Sequence, residues 1–225
     1  MLWIVFIIIV LTVSAFLVWA CATISSGLWL KAECRGRRGS VYLTFDDGTE
    51  PGRTEEILEI LAGRNAKAVF FLIGDKVEGN EDLVRKILAG GHGIGLHSCC
   101  HSWKFPFMTA GRMTEDLERC RTMLENVKGS PVTLFRPPFG VVNPTVAKVV
   151  RKLGLRTIGW SIRTLDTSLL RKEGGMERIL EKIDRKLEDG AVILLHDRLE
   201  GSGELLRAVL DLIESRGYSC GRTLD

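Results

Sequence analysis

The stretch Val41-Tyr42-Leu43-Thr44-Phe45-Asp46-Asp47-Gly48 reads as a short apolar strand that ends in two adjacent carboxylates. Similar apolar runs recur at 66–73, 93–97, 132–135, 156–160 and 191–195. Segments with helical periodicity lie between and after them, at about 52–63, 81–90, 112–127, 144–153, 175–188 and 203–216. Short strands alternating with helices predict parallel βαβ units, hence an α/β domain of barrel type. In such folds the chemistry sits at the carboxyl ends of the strands. Polar groups cluster at those ends: Asp46-Asp47 after the first run, His97 and His101 after the third, Arg136 after the fourth. Asp166 lies beyond the fifth run, and His196-Asp197 ends the sixth.

Local signals agree with this division. Asn80 and Asn143-Pro144 stand where helix N-caps are expected. Gly90-Gly91, Gly154 and Gly190 follow helix ends, where a left-handed residue is favoured.

Upstream of residue 40 the chain changes character. Residues 1–30 carry no Asp, Glu, Lys, Arg or His, and 2–24 is an almost unbroken apolar run, long enough to cross a hydrocarbon core of roughly 30 Å. The reading is a single-pass membrane anchor over 1–24, a basic linker over 25–39 and a catalytic domain over 40–225. A cleaved signal peptide competes, but the run exceeds the usual apolar length of about 7–15 residues and no cation precedes it. Lys31, Arg35, Arg37 and Arg38 follow the run. That places the domain on the cytoplasmic side by the positive-inside tendency; as head-group contacts they leave the side open. The anchor makes membrane lipid an expected partner. A net charge of +3, without a basic stripe interleaved with aromatics, excludes a nucleic-acid binder. Six cysteines without a Cys-x-x-Cys pair give neither a disulfide scaffold nor a structural zinc site.

Two carboxylates side by side repel unless a cation is near. If Asp47 ligates a divalent ion, Asp46 stays free as a base; the plain alternative is an Asp-Gly turn. His97 and His101 are four residues apart, a spacing that puts both on one face of a helical turn. Asp47, His97 and His101 together form a two-His, one-carboxylate set with open positions, suited to zinc, cobalt, nickel or iron. Such a site makes hydrolysis or oxygenation available, and the spare carboxylate Asp46 favours hydrolysis, which needs a base. Arg136, stiffened by Pro137-Pro138, can be aimed at Asp46. His196 is placed to act as general acid. His92, before its strand, reads as structural.

Five ordered motifs, TFDDG (44–48), HSCCH (97–101), RPPFG (136–140), the 160–166 segment and LLHD (194–197), resemble those of the polysaccharide deacetylases of carbohydrate esterase family four. The resemblance covers about 40–220 and implies a distorted (β/α) barrel of about seven strands. It implies Asp46 as base, Asp47, His97 and His101 as ligands of a metal, usually zinc or cobalt, and His196 as acid. Arg136 would orient Asp46, Asp166 would tune His196, and the Phe139 backbone N–H would help hold the oxyanion. Three departures stand out: Leu96 replaces a frequent Asn, Phe139 a commoner Tyr, and Arg163 an acidic residue. Arg163 inverts a charge near the site; it meets an anionic substrate group or faces solvent. The implied reaction is removal of an N-acyl group, an acetyl above all, from a cell-envelope polysaccharide or oligosaccharide. Deacylation or deformylation of a lipid-linked amino sugar is the close alternative, and a non-catalytic sugar-binding module the distant one.

Overall fold

The computed structural model describes residues 1–221, 223 and 224; the boundary drawn at Asp225 lies outside them. Among the described residues, seven strands form one sheet: β1 Tyr42–Gly48, β2 Ala68–Leu72, β3 Gly93–Leu96, β4 Leu134–Phe135, β5 Arg156–Thr157, β6 Ile162–Arg163 and β7 Val192–His196. The helices are α1 Leu2–Ala22, α2 Arg53–Gly63, α3 Gly74–Val77, α4 Glu81–Ala89, α5 Ala110–Lys128, α6 Pro144–Lys152, α7 Asp166–Leu169, α8 Gly175–Lys186 and α9 Ser202–Ser215. All strand pairs are parallel, in the order β5-β4-β3-β2-β1-β7-β6.

That order forces the sheet to curl. β5 and β6 lie at opposite edges, yet only four residues separate them. A flat seven-stranded sheet would hold its edges roughly 29 Å apart, while the chain from Thr157 to Ile162 reaches at most about 18 Å. The result is an open half-barrel with every carboxyl end on one rim. The 156–160 run is therefore a strand only over Arg156–Thr157, because the chain must then leave one edge and cross to the other. The seventh strand, β6, lies inside the 160–166 motif.

Packing inside the barrel follows from small residues at chosen points. A Cβ at Gly95 would lie 2.7 Å from the Phe71 ring, so glycine there lets Phe71 pack inward. The Arg136 guanidinium lies over that ring at 4.2 Å. Phe45 and Phe70 stack at 5.1 Å on the helix-covered face. The β1, β2 and β3 strands are buried throughout, as both faces of a parallel sheet require.

Two local expectations are corrected. Asn80 precedes α4 but its side chain donates to the Lys76 carbonyl (3.0 Å) rather than capping the helix. The helix predicted from 112 begins at Ala110, where Thr109 caps it by accepting from the Arg112 N–H. Asn143 does cap α6, accepting from the Val146 N–H at 2.9 Å.

Helix α1 spans 21 residues, about 31 Å, and is long and apolar enough to cross a membrane. A signal sequence near the N-terminus has the same appearance. Its last turn is not a loose leash. Ala20 is fully buried, and the Val142 N–H donates to the Cys21 carbonyl at 2.9 Å. The stretch read as a linker also packs on the body. Glu33 bridges Ile158, Arg35 bridges Ala191, and the Gly36 N–H donates to the Gly190 carbonyl. This segment thus runs along the opening between the sheet edges.

Candidate active site

The carboxyl rim of the half-barrel surrounds a cavity of about 210 Å³. Asp46, Asp47, His97, His101, Phe139, Arg163, Asp166 and His196, read from separate motifs, all line it. Arg136 lies beneath its floor.

Asp46 and Asp47 both face the cavity because the left-handed backbone of Asp47 (φ 69°) breaks the alternation of the strand. Asp46 Oδ2 and Asp47 Oδ1 lie 3.7 and 3.4 Å from His97 Nε2. Asp46 turns toward the barrel interior, where Arg136 is fully buried. Arg136 Nη1 donates to Asp46 Oδ1 at 2.7 Å and to Thr44 Oγ1 at 2.9 Å. Its Nε and Nη2 donate to the Ile158 and Gly159 carbonyls. Four donors to β1 and to the edge-crossing segment leave the guanidinium one orientation. A buried ion pair needs this degree of satisfaction to persist.

Asp47 Oδ1 is buried without a hydrogen-bond partner. The Nε2 atoms of His97 and His101 lie 3.4 and 3.3 Å from it. His97 Nδ1 donates to the Arg136 carbonyl at 2.8 Å, which directs the Nε2 lone pair at the same point. The ligand atoms of Asp47, His97 and His101 all lie within 4.8 Å of one another. An orphaned carboxylate oxygen facing two imidazole nitrogens fits a divalent cation of the borderline class. Burial disfavours the Asp47 charge, but the imidazoles of His97, His101 and His196 outweigh it and hold the carboxyl well below the usual range. Burial and the neighbouring His97 hold His101 below its ordinary value, toward the neutral form a ligand must have.

The two histidines do not sit on a helical turn, as their spacing suggests. His97 follows β3, and an irregular bend returns the chain, with Ser98 (φ 66°) and His101 (φ 47°) both left-handed. Ser98 Oγ accepts from the His101 N–H at 2.9 Å and pins that bend. Cys99 and Cys100 point away, Cys99 Sγ toward Asp75 at 3.3 Å. Six non-glycine residues among those described have a left-handed backbone, and only Asn65 lies away from this region. Asp47, Ser98, His101, Phe139 and Leu165 are at the site, where strain of about 1–3 kcal/mol per residue is tolerated for function.

On the opposite wall, Asp166 accepts twice from His196: its Oδ2 from the backbone N–H and its Oδ1 from Nδ1, both at 2.8 Å. Nε2 of His196 then faces the cavity, 3.9 Å from Asp47 Oδ2. Burial disfavours the imidazolium, yet the Asp166 hydrogen bond and charge raise His196 above its ordinary value. Asp197 turns the other way and is fully buried, accepting from Thr54 Oγ1 at 2.6 Å. His92 is buried away from the cavity against Phe70, and its Nδ1 accepts from the Ala68 N–H. Arg163 is exposed and lies 5.8 Å from the Trp160 ring at the cavity mouth.

Arg198 was not foreseen. Its Nε donates to Asp47 Oδ2 at 2.8 Å. In sequence it is one more charged residue in a turn; its place two residues after His196, on the same rim, was the available signal. Trp160, the first residue of the 160–166 motif, walls the cavity and packs against Gly140, where a Cβ would lie 2.4 Å from its ring.

A family model described as polysaccharide deacetylase matches residues 34–158. The peptidoglycan-N-acetylglucosamine deacetylase PgdA of Listeria monocytogenes is 33% identical over 178 residues, 79% of this chain. The chain spans only 36% of that relative's length. The solved Bc1960 peptidoglycan N-acetylglucosamine deacetylase is 26% identical, with a TM-score of 0.78 over 86% of this chain and 90% of that one. A CE4 family pseudoenzyme from Bacillus anthracis is 28% identical, with a TM-score of 0.73 over 83% of this chain and 65% of that one. By family match and by fold together, the chain belongs to the polysaccharide deacetylases of carbohydrate esterase family four, hydrolases of N-acetyl amide bonds.

Proposed function

We propose that this protein is a membrane-anchored, metal-dependent N-deacylase that removes an acyl group, an acetyl above all, from an amino sugar of the cell envelope. One observation carries the reading: a buried, unpartnered Asp47 oxygen faces two imidazole nitrogens, while the adjacent Asp46 is locked by Arg136. Asp47, His97 and His101 would hold the cation, zinc by preference, with cobalt or nickel also suited to the donor set. Such an ion supplies a Lewis acid for the amide carbonyl and lowers the pKa of water.

The remaining steps belong to the chain. Asp46 removes a proton from the attacking water as its oxygen bonds to the acyl carbon. Arg136 keeps the receiving oxygen oriented. The Phe139 backbone N–H adds a donor for the developing oxyanion. Nε2 of His196 gives a proton to the departing sugar nitrogen as the carbon–nitrogen bond breaks, leaving a free amine and a carboxylate. Asp166 positions His196 through Nδ1 and favours its charged form before that transfer. The Phe139 ring and Arg163 contact the sugar, Arg163 through an anionic substituent. Residues 1–24 anchor the domain to the membrane. A non-catalytic sugar-binding role would need neither an arginine-locked carboxylate nor an imidazole tuned toward its acid form.

The test measures acetate released by the full chain from N-acetylated chito-oligosaccharides and peptidoglycan fragments. Chelation is expected to abolish release, and added zinc or cobalt to restore it. Full activity in protein shown by elemental analysis to be metal-free would remove the cation from the reaction.

A further inference from the structure

We propose that the apolar groove beside the catalytic cavity holds the hydrocarbon tail of a lipid-linked amino sugar; this substrate class rests on the deacylase reading above. The groove encloses about 580 Å³, within the range of small-molecule sites. One wall is the last turns of α1, through Leu17, Val18 and Cys21. The other is Phe107, Val141 and Phe139 of the catalytic domain.

Three observations choose a lipid tail as the occupant. First, the groove and the catalytic cavity share a wall. The half-exposed Phe139 ring lines both and lies 4.7 Å from the His101 ring. An occupant of the groove therefore ends beside the metal-site residues. Second, the Val142–Cys21 hydrogen bond and the buried Ala20 fix the membrane helix against this rim. With α1 in the bilayer, the groove opens where hydrocarbon is already present, and a tail enters it without first crossing water. Third, Trp103 and Phe107 in the groove lining are 69% and 81% exposed, large aromatic surface of the kind that belongs at a membrane interface. Lys104 lies 5.5 Å over the Trp103 ring, a cation at head-group level. Arg163 and Arg198 line the cavity itself and suit a phosphate between sugar and tail.

For the test, the full chain is reconstituted in phosphatidylethanolamine–phosphatidylglycerol vesicles. It is then given N-acetylglucosaminyl phosphates esterified to a methyl, an octyl or a farnesyl group. We expect kcat/KM for acetate release to rise by about tenfold or more from methyl to farnesyl. The exposed-residue double variant W103Q/F107N is expected to erase that rise while the methyl compound is turned over as before. A diazirine-tailed analogue is expected to label peptides containing Leu17, Val18 or Phe107, and the farnesyl compound to displace it. Equal kcat/KM for the three tails would overturn the proposal. So would a rise that survives in the double variant, or labelling displaced equally well by plain phospholipid. If none of the three compounds is turned over while N-acetylated chito-oligosaccharides are, this proposal is overturned and the deacylase reading stands. If neither class is turned over, the deacylase reading fails and the labelling alone decides the groove.

Discussion

Asp46 and Asp47 are neighbours in sequence, and each holds an arginine at nearly the same distance. Arg136 donates to Asp46 at 2.7 Å and Arg198 to Asp47 at 2.8 Å. Their surroundings are opposite. The Arg136 side chain is 0% exposed and bonded on every side, while that of Arg198 is 38% exposed and lies on the rim. A pair buried with its other donors satisfied is a fixed part of the barrel. In the second pair only the arginine meets water while Asp47 is buried, and that exposure weakens the attraction by screening. The difference fits the two proposed jobs: Asp46 is held in one orientation, as a base requires, and Asp47 has one oxygen without a hydrogen-bond partner, as a cation ligand requires.

Breaking the buried pair is expected to have the largest effect. Arg136→Met leaves the Asp46 carboxylate without its cation inside the barrel. Stability should fall by about 3–5 kcal/mol, read from urea unfolding, and acetate release should vanish. A stable, active Arg136→Met protein would show that the buried pair is dispensable. The next effect is on chemistry. Asp46→Asn should lower kcat by about 10²–10⁴ while the bound metal, measured by elemental analysis, is retained. Loss of metal in that variant would mean that both carboxylates ligate, and the division between them would be wrong.

Asp197 sharpens the comparison by supplying a carboxyl with no arginine. It is fully buried, with Thr54 as its hydrogen-bond donor, and burial pushes it up to about 6 from an ordinary 3.8. The folded state therefore holds this proton more tightly than the unfolded chain. Its stabilising effect is complete below about pH 3.8 and is lost as pH rises through about 6. The shift corresponds to about 2–3 kcal/mol. Across that window the stability of Asp197→Asn, followed by thermal melts, should fall less than that of the wild type. Parallel curves would show that Asp197 does not titrate there.

The strands that build the rim are legible because parallel strands are apolar throughout and end in polar residues, but their order in the sheet is not. Asp46, Asp47, His97, His101, Arg136 and His196 all stood at such ends. The pairing of His97 with His101 was legible, but not its geometry. Spacing alone cannot distinguish a helical turn from a bend with two left-handed residues. The short α3 and α7 helices have one turn each, too short for periodicity to register. The segment that packs along the sheet opening, residues 33–36, carries no apolar pattern because it is held by backbone hydrogen bonds and bridges. Arg198 was invisible for a related reason: its role depends on a turn that brings it back over Asp47, and charged turn residues are common on any surface.

Arg198→Gln tests the weaker half of the comparison. A pair whose arginine is partly exposed is screened by water and contributes roughly 0–1 kcal/mol, so thermal unfolding should shift little. Two opposed effects would act on a metal bound by the proposed ligands. The guanidinium holds Oδ2 and thereby presents Oδ1 to the histidines, but its charge also repels a cation nearby. The His97–Arg136 hydrogen bond and the Ser98-pinned bend orient the other two ligands without it. Zinc affinity, measured by competition with a chromogenic chelator, should therefore change less than about tenfold, below the usual cost of a lost outer partner. A larger loss would mean that Arg198 fixes Asp47 as firmly as Arg136 fixes Asp46. The two pairs would then differ in exposure but not in function.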